Sequence, residues 1–269
     1  MTIRLPPPGT VKPGHLLVPG RLLESASCMP PKFSVVVPVY NEAAFLPRAL
    51  PALISAMDSV DESYEILIVE NGSTDGSAAI AVSVAGDSHV RVLSLDTADY
   101  GEAMHHGFSE GTGDWVVNFD IDYFSAEFLR KVLTSDSFDI VIGSKRDPGS
   151  EDRRPLIRRI ATLVFNLLLR TILRSTVSDT HGMKAFRSEL VDDLSPLVIS
   201  RKDLYDTELV IRAERSGYRI TEVPVVVEEL RTARSSLIKR VPRTIAGLFR
   251  IRRLLKSRAP SAGEQRQRS

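Results

Sequence analysis

Two aspartates, Asp120 and Asp122, interrupt the otherwise apolar stretch GDWVVNFDIDYFSAEF that runs from Gly113 to Phe128. An apolar segment such as Trp115 to Phe119 reads as a buried strand, and carboxylates at its end are costly to desolvate unless a counter-charge offsets them. Acids at i and i+2 can share a divalent cation where the backbone turns, and Mg²⁺ favours a few carboxylates together with phosphate oxygens. Ordinary solvated loops carry such acids too, so the meaning of this pair depends on what the rest of the chain brings beside it.

Two more polar clusters close apolar runs in the same way: Tyr40-Asn41-Glu42 after SVVVPV, and Glu70-Asn71-Gly72-Ser73 after YEILIV. Asn-Gly, Asp-Gly and Ser/Thr-x-x-Asp are turn and helix-cap chemistry, so Ser73 or Asp75 is expected to cap a helix. Between the clusters the pattern alternates, with AFLPRALPALISAM at helical spacing, VRVLSL as a strand, and a glycine-bearing helix from Tyr100 to Gly111. This alternation predicts an α/β fold with a mostly parallel sheet covered by helices on both faces. Ligands of such sheets bind beyond the carboxyl ends of the strands, so all three clusters are expected on one rim.

The 269 residues are 43% hydrophobic and 26% charged, enough for one large domain with extensions. Cys28 has no partner cysteine, which suits a reducing compartment such as the cytosol. No apolar run approaches the roughly 20 residues of a membrane-spanning helix, and residues 1–31 lack a signal-peptide apolar block. We expect a flexible tail over 1–31, a main α/β domain over 32–235 with an amphipathic insert at 153–174, a basic amphipathic helix over 236–258, and a disordered tail over 259–269.

Net charge is only +1, but it is unevenly spread. Arg231 to Arg258 holds 10 basic residues and no acid, Arg153 to Arg174 holds 6 and none, and the remainder therefore carries −15. Both segments join apolar and basic residues at helical spacing: PLIRRIATLVFNLLLRTILR, and LIKRVPRTIAGLFRIRRLLK with Ile238, Val241, Ile245, Leu248, Phe249 and Leu255 near one face. Such helices read as elements that lie on an anionic membrane surface, with packing of the apolar faces on the domain as the alternative. Nucleic acid is not expected, because residues able to stack on bases are nearly absent from both tracts.

SVVVPVYNE, EILIVENGSTDGS and DYGEAMHHGFSEGTGDWVVNFDID, in this order and spacing, resemble the family 2 inverting glycosyltransferases of the GT-A fold. DIVIGSKRDPGS, SDTHGMKAFRSE and YDTELVIRAERSGYRITEVPV resemble the later signatures of the polyprenyl-phosphate branch, which includes dolichyl-phosphate mannose synthases. The resemblance spans about Phe33 to Leu255. It implies that Pro38, Tyr40, Glu42, Glu70 and Asp120 bind the donor, that Asp122 with Asp120 holds Mg²⁺ or Mn²⁺, and that Arg231 closes over the donor diphosphate. It also implies that Arg146 meets the acceptor phosphate, with Arg159 of the basic insert beside it. The expected ligands are a UDP- or GDP-hexose and a polyprenyl phosphate at the cytoplasmic, inner face of a membrane. Oligomeric state is left open.

The chain departs from the family pattern at three places. Glu70-Asn71 stands where two aspartates are common, His105-His106 where the lipid branch has an arginine, and Phe124 where a glutamine ligand would follow the acids. The two histidines read as helix-face residues rather than ligands. A family 2 transferase acting on a sugar hydroxyl is the alternative; it would need a carboxylate base, for which Asp203 or Asp206 serves unless both merely start a helix. A non-catalytic nucleotide-sugar-binding protein of the same fold is the third reading.

Overall fold

The computed structural model describes residues 29–86, 89–177, 180, 182–202, 204–227 and 237–257. Within them the chain runs β1 (Phe33–Val39), α1 (Leu46–Asp58), β2 (Tyr64–Asn71), α2 (Ser77–Ala85), β3 (Val90–Leu95), α3 (Tyr100–Glu110), β4 (Trp115–Asn118), α4 (Ala126–Leu133), β5 (Ile140–Ser144), β6 (Glu151–Asp152) and α5 (Leu156–Leu168). It continues through a π-helical turn at Leu169–Leu173, β7 (Lys184–Arg187), α6 (Ser188–Leu194), a 3₁₀ turn at Ser195–Leu197, α7 (Tyr205–Arg215), β8 (Ile220–Pro224), β9 (Val226–Val227) and α8 (Leu237–Ser257).

Seven strands form one sheet in the order β3-β2-β1-β4-β7-β5-β8. All neighbours are parallel except β7, which runs antiparallel to both β4 and β5. The mostly parallel sheet expected from the alternation is present, and its central strands β1, β2, β4 and β5 are mostly apolar and buried because both faces are covered there. Side chains alternate between the layers. Val35, Val37, Val39, Ile66 and Ile68 pack with α1, α2 and α4, while Val36, Leu67, Val69 and Phe186 pack with α3, α6 and α7.

Strand order reverses between β1 and β4, since β2 and β3 lie on one side of β1 and β4 on the other. That switch point is where a doubly wound sheet opens a crevice beyond its carboxyl ends. β1 leads there to Tyr40 and β4 to Asp120.

The two basic segments depart from simple amphipathic helices. In the first, α5 ends at Leu168 and continues as the π turn. Apolar residues lie on both faces of this segment: Leu156, Ile157, Ile160, Leu163, Val164 and Leu167 point outward and are 49–70% exposed, whereas Leu169, Ile172 and Leu173 are buried. In the second, the expected single apolar face of α8 is divided. Leu248 and Ile251 are fully buried against Leu204, Ile211 and the π turn, while Val241 and Phe249 are about half exposed. Among the described residues no helix is long and apolar enough to cross a membrane.

Candidate functional site

The loops beyond β1, β2 and β3 are stapled together by side chains accepting backbone N–H groups. Ser73 Oγ accepts from Asn41 N at 2.9 Å, Ser77 Oγ from Glu42 N at 2.7 Å, and Asp75 Oδ2 from Ala43 N at 3.0 Å. Asn41 itself stands at φ +54°, a left-handed conformation that asparagine tolerates, and its Oδ1 accepts from Thr74 N at 2.9 Å. Neither Ser73 nor Asp75 is the cap of α2: that position is Gly76, one residue later, with no side-chain bond. The polar residues of NGSTDGS instead hold two strand ends in fixed relation.

Asn71 Oδ1 extends the network by accepting from Asp99 N at 2.8 Å, and Asp99 caps α3 by accepting from Gly101 N and Glu102 N. Glu70 is buried, and its Oε1 accepts from Ser73 N at 2.6 Å. Tyr40 is half exposed. A cavity of about 310 Å³ lies beside it, lined by Pro38, Tyr40, Asn71, Asp99, Tyr100, Lys202 and Arg243. Of the residues the sequence points to for the donor, Pro38 and Tyr40 line this cavity. Asn71 lines it in place of Glu70.

After β4 the chain reverses at once. Asp120 N donates to Tyr123 O and Tyr123 N to Asp120 O, closing a turn that carries both aspartates. Asp120 keeps an open accessible surface although protein atoms crowd around it, so it sits on the floor of a cleft rather than in the core. This crowding, with the like charge of Asp122 next, raises its carboxyl to about 6, against the opposing pull of Lys184 and Lys145. Asp122 is half buried and edges a second cavity of about 430 Å³, whose walls include Tyr123, Phe124, Phe128, Pro224 and Val225. Phe124, where the family pattern has a polar ligand, supplies apolar wall.

Two hard oxygen donors on one turn, repelling each other, suit a divalent cation that draws its remaining ligands from phosphate or water. Among the described residues no group of three acids, histidines or cysteines could hold a metal without such help.

The charges opposite the aspartates are lysines that reading the sequence for arginine passed over. Lys184 is fully buried on β7, opposite Asn118 of β4; its Nζ contacts Asp206 Oδ2 at 2.8 Å and donates to Gly182 O at 2.7 Å. The legible signal was a lysine inside the apolar run GMKAF, the same anomaly that marks the aspartates. Asp206 does stand at the start of a helix, in the first turn of α7 though not at its N-cap, Leu204, and its carboxylate is buried against a cation instead of lying open as a base. Arg146, in the turn after β5, and Arg159, on α5, are both exposed. Arg231 and Asp203 lie outside the described residues. His105 packs edge-on against Tyr205, with Nδ1 3.0 Å from Ser195 Oγ, as a helix-face residue would. Burial, together with nearby Arg201, lowers its pKa.

Residues 34–195 match the family described as glycosyl transferase family 2. The chain is 32% identical over 201 residues to glycosyltransferase AglD of Haloferax volcanii, a stretch covering 71% of this chain and 32% of that protein. It is 31% identical over 201 residues to the undecaprenyl-phosphate 4-deoxy-4-formamido-L-arabinose transferase of Salmonella choleraesuis, covering 72% and 59%. The chain thus spans about a third to three fifths of the length of these curated relatives. Glucosyl-3-phosphoglycerate synthase from Mycobacterium tuberculosis, solved with Mn²⁺, UDP and glucosyl-3-phosphoglycerate, superposes with a TM-score of 0.61 at 23% identity, covering 87% of this chain and 82% of that one. At that identity the likeness is one of fold. The chain belongs to glycosyl transferase family 2.

Proposed function

We propose that the enzyme transfers a hexose from a nucleotide diphospho-sugar, carrying UDP or GDP, to a polyprenyl phosphate, with inversion and with Mg²⁺ or Mn²⁺. The observation that carries the lipid acceptor is the outward apolar face of α5. Six large aliphatic side chains in water, with exposed Arg159, Arg170 and Arg174 around them, suit an anionic membrane and serve no purpose for a small soluble acceptor. The relatives at 31–32% identity support this reading, one of them being named for undecaprenyl phosphate. So does the cavity beside Asp122, which offers an apolar wall next to the acids.

In this reading an acceptor phosphate oxygen attacks the anomeric carbon. The new C–O bond forms as the bond to the diphosphate breaks, and the electron pair leaves with the nucleoside diphosphate. The acceptor is already anionic, so no strong base is required. Asp206, held by Lys184, is poorly suited to the hydroxyl-acceptor chemistry that would need one. Asp120 and Asp122 would hold the metal, which would supply counter-charge for the leaving diphosphate. Pro38, Tyr40, Glu42 and Glu70 shape the nucleotide side, and Arg146 and Arg159 gather the acceptor phosphate. Residues 32–235 form the catalytic unit, working at the inner, cytoplasmic face.

Labelled UDP- and GDP-hexoses offered with polyprenyl phosphate or with saccharides test the proposal. Label in the lipid fraction is expected. Transfer to saccharides alone would overturn it.

A further inference from the structure

The cavity beside Tyr40 has a wall that no family motif accounts for. Pro38, Tyr40 and Asn71 come from the strand ends and Tyr100 from α3, but Lys202 precedes α7 and Arg243 belongs to the basic helix α8. Asn71 Oδ1 there accepts from Asp99 N, Asp99 caps α3, and Tyr100 Oη accepts from Asn118 Nδ2 at 3.3 Å. An exposed aromatic ring beside two cations is the chemistry that holds a nucleotide, the base against the ring and the phosphates against the charges.

Both cations are positioned by close packing. A Cβ on Gly101 would lie 1.2 Å from Arg201 O, so only glycine lets the first turn of α3 press on the strand of chain that carries Lys202. Arg201 Nε pairs with Glu102 Oε2 at 3.1 Å across the same contact. On α8, a Cβ at Gly247 would lie 2.4 Å from Leu204 Cδ1, and neighbouring Leu248 is fully buried. Arg243 stands four residues before Gly247, hence on the same side of the helix one turn away, and Leu204 is two residues beyond Lys202. The face of α8 that packs on the domain is thus the face that delivers Arg243 to the cavity.

We propose that Lys202 and Arg243 are donor-binding residues that grip the diphosphate of the nucleotide sugar. This rests on the reading above that the donor's nucleotide occupies the cavity at Tyr40. It makes α8 a wall of the donor site as well as a carrier of basic charge.

Titration calorimetry on the full chain with UDP and GDP, each compared with its nucleoside, tests the assignment. Arg243→Ala and Lys202→Ala should each weaken the preferred nucleoside diphosphate by about 10-fold, the loss of one charge-assisted contact. Nucleoside binding should be unchanged, and Arg243→Lys should recover most of the loss. Arg250→Ala, which removes an exposed charge of the same helix outside the cavity, should bind like wild type. Unaltered diphosphate affinity in Arg243→Ala, an equal loss of nucleoside affinity, or an equal loss in Arg250→Ala would overturn the proposal. Asp122→Asn separates the two levels. If it loses Mn²⁺-dependent UDP or GDP binding while Arg243→Ala loses nothing, only the present inference fails; if wild type binds neither diphosphate, the donor-site reading falls and takes it along.

Discussion

Lys184 Nζ lies 2.8 Å from Asp206 Oδ2, and the two side chains are 0% and 5% exposed. Removing one partner leaves the other charge buried and uncompensated, which costs about 3–5 kcal/mol, whereas replacing both with apolar groups can be nearly neutral. Lys184→Met is therefore expected to lower stability by that amount in urea unfolding, and Lys184→Met/Asp206→Leu to regain most of it. A single variant as stable as wild type would show that the pair does not hold β7 to α7.

Asp122 shares a four-residue turn with Asp120 at the switch point of the sheet. Under the proposed metal role, Asp122→Asn should reduce hexose transfer by about 100-fold, comparable to removing one preorganised stabilising group. Mn²⁺ added with UDP should raise the melting temperature of wild type and not of the variant. Full activity in the variant would remove Asp122 from the metal site.

Asp120 titrates near 6 instead of 3.8 because protein crowding and Asp122 disfavour its charge. A carboxyl raised on folding makes the fold less stable as pH climbs from about 4 to about 6, since the native state holds a proton that the unfolded state has already released. Metal-free Asp120→Asn should therefore melt above wild type at pH 7.5, and the gap should close near pH 4. Because the carboxylate opens on the cleft, screening keeps the gain near 1 kcal/mol or below, ~2–4 °C. Thermal scans at the two pH values decide it.

Leu163 and Leu167 are 49% and 61% exposed on the outer face of α5. Replacing both with Glu should leave the melting temperature within a degree or two, as surface changes do. The same variant should lose most of its co-sedimentation with phosphatidylglycerol vesicles, because apolar area and charge attraction both fall. Retained vesicle binding would assign the membrane contact elsewhere.

The parallel part of the fold was legible because β1, β2 and β4 are buried on both faces and so read as unbroken apolar runs punctuated by polar ends. Those ends also announced the rim, since carboxylates and amides rarely close a buried strand without a partner. The antiparallel β7 was harder to foresee: Lys184 to Arg187 is only four residues long, and its lysine looks like a surface residue until Asp206 is placed against it. Phase was invisible as well. Apolar residues lie on both faces of the Leu156–Leu173 segment, so periodicity alone does not say that Leu169, Ile172 and Leu173 pack inward while Leu163 and Leu167 face out. Arg243 was read as one basic residue among ten, because its place in the cavity depends on the approach of Gly247 to Leu204.

The position of β7 has a bearing on how the chain is made. β1 to β4 pair among themselves as they leave the ribosome, but β5 has no neighbour in the sheet until β7 and β8 arrive some forty and eighty residues later. A nascent chain halted before Lys184 therefore presents an open edge on β4 and an unmated Ile140–Ser144 segment, the kind of surface on which incomplete polypeptides aggregate.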